Sequence, residues 1–164
     1  MKLRTMIVAA SLLAAGGAQA QSSTNPQSIP PYGPNITLEQ ARKAAGAAEA
    51  EARNRGWPMA IAIVDTAGQL VYYLRMDDTQ TGSVEVAIAK AKTGAMFRRP
   101  GKALQEAVGK GGENLRYLVL PGAIPYEGGN PLTIGGKIVG GIGVSGMAGD
   151  QDGLIATTGV AALK

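Results

Sequence analysis

The stretch from Glu127 to Gly146 restricts the fold more than any other part of this chain. Eight of its twenty residues are glycine, set among β-branched side chains. Pro131 to Ile134 reads as a short strand, Gly135-Gly136 as a two-residue turn and Lys137 to Ser145 as a second strand. A type I′ hairpin turn needs φ > 0 at both central residues, which Gly-Gly supplies without steric cost. Gly140, Gly141 and Gly143 lie inside the second strand. Glycine weakens a strand, so it marks a bulge or a body lying close against the backbone. Gly141 to Gly146 also fits the pattern G-x-G-x-x-G. The dinucleotide reading fails, because these glycines begin inside a strand and follow a hairpin instead of the opening strand of a parallel βαβ unit.

The first twenty residues read as a secretory signal peptide. Lys2 and Arg4 form a basic start, Met6 to Ala15 an apolar run, and Ala18-Gln19-Ala20 a cleavage site. Removing them lowers the formal charge from +4 to +2, leaving 14 basic residues against 12 acidic ones. The expected location is the periplasm or the exterior, with no membrane span once the signal is cleaved. No basic stripe with interleaved aromatics points to nucleic acid. The sequence has neither cysteine nor histidine. That removes disulfides, the commonest metal ligand and the commonest general base. Residues 21–36, with Pro26, Pro30, Pro31 and Pro34, read as a flexible leader, or as an arm that docks on a neighbouring subunit through Tyr32.

A single domain over residues 37–164 follows. Thr37 to Arg55 reads as a helix, opened by the capping box of Thr37 and Gln40 and closed by Gly56, with an alanine face. Pro58 to Asp65 and Gln69 to Met76 read as strands around a turn capped by Asp65. Arg75 either pairs with Asp77 or takes an anionic ligand group. Ser83 to Phe97 is a helix with two apolar faces, one of which needs a further partner: a second subunit, or another part of the same chain. Lys102 to Val108 looks helical, Arg116 to Leu120 looks like an edge strand, and Gly153 to Leu163 forms the last helix. Short hairpins imply an antiparallel sheet covered by these helices.

The residues offer little obvious catalysis. Ser145 lacks an identifiable base, and a Ser–Lys scheme is the only nucleophilic option in a chain without histidine. Asp77-Asp78 and Asp150 with Asp152 read as turn and cap residues. Tyr117, Tyr126, Met59, Met76, Met96 and Met147 are the familiar iron-ligand types present besides lysine and carboxylates. Glu127-Gly128-Gly129, an acid at a flexible entry to a strand, is the stretch least explained by packing.

Several pieces resemble one known family when taken together in order. They include Ala62-Ile-Val-Asp-Thr-Ala-Gly-Gln-Leu-Val, Arg75-Met-Asp, Ala87-Ile-Ala-Lys-Ala-Lys-Thr, Arg99-Pro, Glu127-Gly-Gly-Asn-Pro-Leu and Gly140-Gly-Ile-Gly-Val-Ser-Gly. The resemblance is to the GlcG/HbpS-type haem-binding, or haem-degrading, family, related to the C-terminal domain of PduO-type proteins. It covers Thr37 to the C-terminus. It implies an α/β (α+β) fold, a profilin-like three-layer α/β/α domain with a five-stranded antiparallel sheet. It also implies a homo-oligomer, often an octamer, with haem or another tetrapyrrole as ligand. No histidine is available as an axial ligand. The ligand is expected near Glu127, Gly128, Gly129 and Gly143, with Arg75, Lys90 and Arg99 as partners for carboxylate or propionate groups. The rival expectations are an organic-acid binder or enzyme using Glu127 or Asp65 as base, and a structural oligomer without ligand.

Overall fold

The computed structural model describes residues 29–164. The signal peptide expected at 1–20 and the leader up to residue 28 lie outside the described residues. Helix α1 spans Leu38–Arg55. The Thr37 hydroxyl accepts from the Gln40 amide, the Gln40 side chain accepts from the Thr37 amide, and Gly56 closes the helix in the left-handed region. Strands β1 (Ala60–Asp65) and β2 (Leu70–Arg75) follow. Asp65 Oδ1 holds their turn by accepting from the Ala67 and Gln69 amides, both at 2.9 Å. Next come α2 (Ser83–Phe97), α3 (Gly101–Gly109) and a 3₁₀ segment over Gly112–Val119. The hairpin β3 (Gly129–Ile134) and β4 (Lys137–Ser145) leads to α4 (Gly149–Ala161). Gly135 and Gly136 have φ of 56° and 74°, as a type I′ turn requires.

The sheet is antiparallel, with strand order β2-β1-β4-β3. Among the described residues it has four strands, not the five expected. The segment expected to form an edge strand at 116–120 falls largely within the 3₁₀ helix. Its apolar residues Leu115, Leu118 and Val119 are exposed, and a spacing near three suits a helical face instead of the period of two that a strand needs. Near the start of β4, a single parallel bridge joins Tyr32 to Ile138.

The helices pack on both faces of the sheet, and β1 and β4 explain how. Ile61, Ile63, Ile142 and Val144 point into a core shared with α1 and α4. Ala60, Ala62 and Val64 point the other way, against Ala87, Ala91 and Ala95 of α2. On that second face, β4 contributes Gly141 and Gly143. A Cβ on Gly143 would fall on the Ala87 carbonyl and the Ala91 amide, and one on Gly141 would fall on the Ala91 carbonyl. The body lying against these strand glycines is therefore the backbone of α2. Gly143, expected at a ligand site, is a helix-packing residue.

The second apolar face of α2 is covered in good part by its own chain. Gly94 abuts the backbone of Asn130, and Thr93 Oγ1 accepts from the Ile124 amide at 2.8 Å. The leader's described part also stays at home. Tyr32 donates to the carbonyls of Ala95 and Met96, which lie in the last turn of α2, where such groups lack helical partners. Ile36 is buried and donates its amide to the Val139 carbonyl. Tyr32 thus anchors the described end of the arm on its own domain.

Candidate functional site

A cavity of about 390 Å³ opens where the middle of α2, the segment before β3, the end of β4 and the start of α4 meet. Lys90 and Asp152 form its charged floor. Lys90 Nζ donates to Asp152 Oδ2 at 2.7 Å and to the Val144 carbonyl at 3.0 Å, and both side chains of the pair are only 3 % exposed. The opposite oxygen of Asp152 accepts from the Met147 amide at 3.0 Å, and Gln151 Oε1 accepts from the Ala148 amide. These two side chains satisfy amides just ahead of α4. The helix consequently starts at Gly149, four residues before the sequence suggests. Burial pushes the Asp152 carboxyl above its ordinary range, while the hydrogen bond and charge of Lys90 oppose the shift.

A second ion pair stands nearer the opening. Lys102 Nζ on α3 donates to Glu127 Oε2 at 2.7 Å, and the Glu127 amide donates to Gln105 Oε1 at 2.8 Å. The hydrogen bond to Glu127 raises the Lys102 ammonium above its ordinary range. Gly153 of α4 leaves the space that the Glu127 carboxylate occupies. Between the two pairs, Gly128 has φ of 108°, and its missing Cβ keeps clear of Lys90 Nζ and the Val144 carbonyl. Glu127-Gly128-Gly129 is therefore built into the wall. Glu127 lines the cavity, Gly128 lets the chain pass the buried pair, and Gly129 packs on the Lys90 carbonyl.

The cationic partners expected from sequence do not converge. Lys90 reaches the cavity, but Asp152 already engages its charge. Arg75 closes β2, is absent from the lining, and forms no ion pair with Asp77 among the described residues. Arg99 lies beyond the C-terminus of α2 and donates to the Phe97 carbonyl. Asp65, the rival base, is spent on its turn. Sequence reasoning missed Asp152, Ser145, Gln80 and Gln105 as lining residues. One signal was available: Lys90 is a lone lysine between Ala87, Ala91 and Gly94 on the packed side of a helix, which demands a buried counter-charge.

Ser145 and Lys90 now share a cavity, which reopens the Ser–Lys option only to close it. Lys90 Nζ is engaged by Asp152 at 2.7 Å and by the Val144 carbonyl at 3.0 Å, and no hydrogen bond joins it to Ser145 among the described residues, so no serine–lysine pair is in place. The iron-ligand types also separate. Met59 is in the core, whereas Tyr126 and Met147 line the cavity and are well exposed. Among the described residues, no group of three or more carboxylates gathers to hold a metal ion.

The family model described as "Haem degrading protein HbpS-like" matches residues 36–161. Protein GlcG of Escherichia coli K12 is 33 % identical over 110 residues, 67 % of this chain and 81 % of that protein. The crystal structure of a double mutant of Streptomyces reticuli HbpS superposes with a TM-score of 0.72 at 33 % identity, covering 96 % of this chain and 99 % of that one. The structure of a PduOC:heme complex gives a TM-score of 0.72 at 28 % identity, covering 79 % and 96 %.

Proposed function

Since this chain belongs to the HbpS-like family of haem-degrading proteins, we propose that it binds haem or another tetrapyrrole at the open side of the Lys90–Asp152 cavity. The observation that carries this reading is the placement of Tyr126 and Met147. Two iron-ligand types flank one cavity in a chain without histidine or cysteine. A relative of the same fold is known as a heme complex. Tyr126 would offer a phenol oxygen and Met147 a thioether, with Val86 and the side-chain stem of Gln105 as apolar surface for the ring. Bound haem would supply an iron centre with an intense Soret band. The two ion pairs leave no uncommitted lysine on the floor, so propionates are expected to point to solvent.

The proposal extends to export, on the strength of the signal-like first twenty residues, and to self-association. Leu118 and Val119 of the 3₁₀ segment and Tyr126 beside the cavity are exposed apolar surface suited to another subunit. Titrating haemin into the mature protein tests the binding. The expected result is a saturable Soret change at one site per subunit that weakens in Tyr126→Phe or Met147→Leu. A protein with intact circular dichroism and no saturable change overturns it.

A further inference from the structure

The cavity is small for a tetrapyrrole. Its volume of about 390 Å³ falls in the lower part of the range for ligand sites, roughly 300–1,000 Å³. A flat macrocycle with its side chains belongs to the upper part, so a wall must move to admit it. The walls differ in how they are held. Lys90 of α2 lies between the buried Ala87 and Ala91, Ser145 ends a strand buried from Ile138 onward, and Asp152 of α4 adjoins the buried Gly153. By contrast α3 buries only Gly101 and Leu104, and the 3₁₀ segment after it buries none of its residues. Elements with so little buried open at the low end of a protein's range of local stabilities. The chain at both ends of α3 already departs from regular backbone. Arg98, ahead of it, has φ of 54°, and Gly111 and Gly112, behind it, have φ of 69° and 60°. Nothing lies within 4 Å of where a Cβ would stand on Gly109, Gly111 or Gly112, so that end of α3 is free of close packing.

What holds α3 shut is concentrated on two wall residues. Gly101 lies so close to the Tyr126 carbonyl that a Cβ would fall on it. Gln105 Oε1 accepts from the Glu127 amide at 2.8 Å, and Lys102 Nζ donates to Glu127 Oε2 at 2.7 Å. Tyr126, Glu127 and Gln105 all line the cavity, so the seam between α3 and this wall is also a seam of the cavity. The Lys102 side chain is 52 % exposed and lies outside the lining. An exposed ion pair of this kind contributes little to stability, which suits a contact that must be released. We propose that α3 is a gate on this cavity, latched to Glu127 by Lys102 and Gln105, and that it swings about residues 98–100 and 109–112 to admit the ligand. The identity of what enters rests on the tetrapyrrole reading, whereas the motion of α3 follows from its packing alone. The Lys90–Asp152 floor stays in place as the gate opens, because its members belong to α2 and α4.

The experiment reads amide hydrogen exchange by mass spectrometry on the ligand-free mature protein, then haemin association by stopped flow on the same samples. Lys102→Gln releases the latch without touching a lining residue. Glu106→Gln is the control, since it breaks the longer pair that Lys102 makes within α3, at 3.7 Å, and leaves the latch intact. The expected result is that Lys102→Gln speeds exchange of residues 101–109 about two- to fivefold, the factor an exposed ion pair is worth, while α2 and β4 keep their protection. Haemin association rises by the same factor, because only the open form admits the ligand. Neither quantity changes in Glu106→Gln. Exchange of 101–109 unaffected by Lys102→Gln, equal acceleration in Glu106→Gln, or acceleration spread over α2 and β4 each overturns the gate. Faster exchange with an unchanged association rate overturns its role in entry. Absence of saturable haemin binding overturns the tetrapyrrole reading instead, and the exchange measurement still decides the gate.

Discussion

Removing either member of the buried Lys90–Asp152 pair should unfold this protein more readily than any other single charge removal. Each side chain is 3 % exposed, so Lys90→Met strands a carboxylate and Asp152→Leu strands an ammonium. Breaking a buried pair in this way costs about 3–5 kcal/mol. At about 4 °C per kcal/mol for a domain of this size, the thermal midpoint should fall by about 12–20 °C. The double variant Lys90→Met/Asp152→Leu removes both charges and fills the space with apolar atoms. What remains lost is the partner of the Val144 carbonyl and that of the Met147 amide, together about 2–6 kcal/mol. The double variant should therefore be more stable than the summed single losses by several kcal/mol. Urea unfolding followed by the single tryptophan, Trp57, and by circular dichroism measures all four corners of this cycle. Additive losses would show that the two groups do not act as a pair, and the account of the cavity floor would fail.

The same pair predicts a pH signature. Asp152 has a folded-state pKa above its unfolded value, so its contribution to stability is full below about pH 3.8 and is lost as pH rises through the raised value. Lys90 holds that value down, so in Lys90→Met the window extends further upward. The deficit of this variant should shrink as pH falls from 7 to 4, whereas that of Asp152→Leu should not. Gly143→Ala drives a methyl into the Ala87 carbonyl and should cost at least about 2 kcal/mol in urea unfolding, while Gly46→Ala, with open space around it on exposed α1, should be neutral or stabilising. Tyr73→Phe removes a buried hydroxyl that has no hydrogen-bond partner among the described residues, so the thermal midpoint should stay level or rise. A fall worth more than about 1 kcal/mol would reveal a partner for it.

Local physics was legible in the residues. The ends of α1, the turn at Asp65, the extent of α2 and the Gly135-Gly136 hairpin all depend on neighbours within about four positions, and their chemistry can be read from spacing alone. The family could also be read, because its pieces recur in order along the chain. Even the stretch that holds the cavity wall, Glu127 to Gly129, stood out as an acid beside two glycines without a packing reason.

Tertiary structure decided everything that depends on which layer a face meets. Lys90 and Asp152 are 62 positions apart, and Glu127 and Lys102 are 25 apart. A lysine bound for the interior and one bound for solvent are the same letter until a counter-charge is brought to it. Gly141 and Gly143 of β4 announce a close neighbour, but only packing shows it to be α2 instead of a ligand. Likewise Tyr32 announces an anchor, and only the end of α2, presenting two unpaired carbonyls, shows that it holds its own chain. Sequence sets the local conformations and the sizes of the faces. The pairing of those faces, and with it the cavity, arises when backbone layers close to contact distance and every buried charge must find its partner.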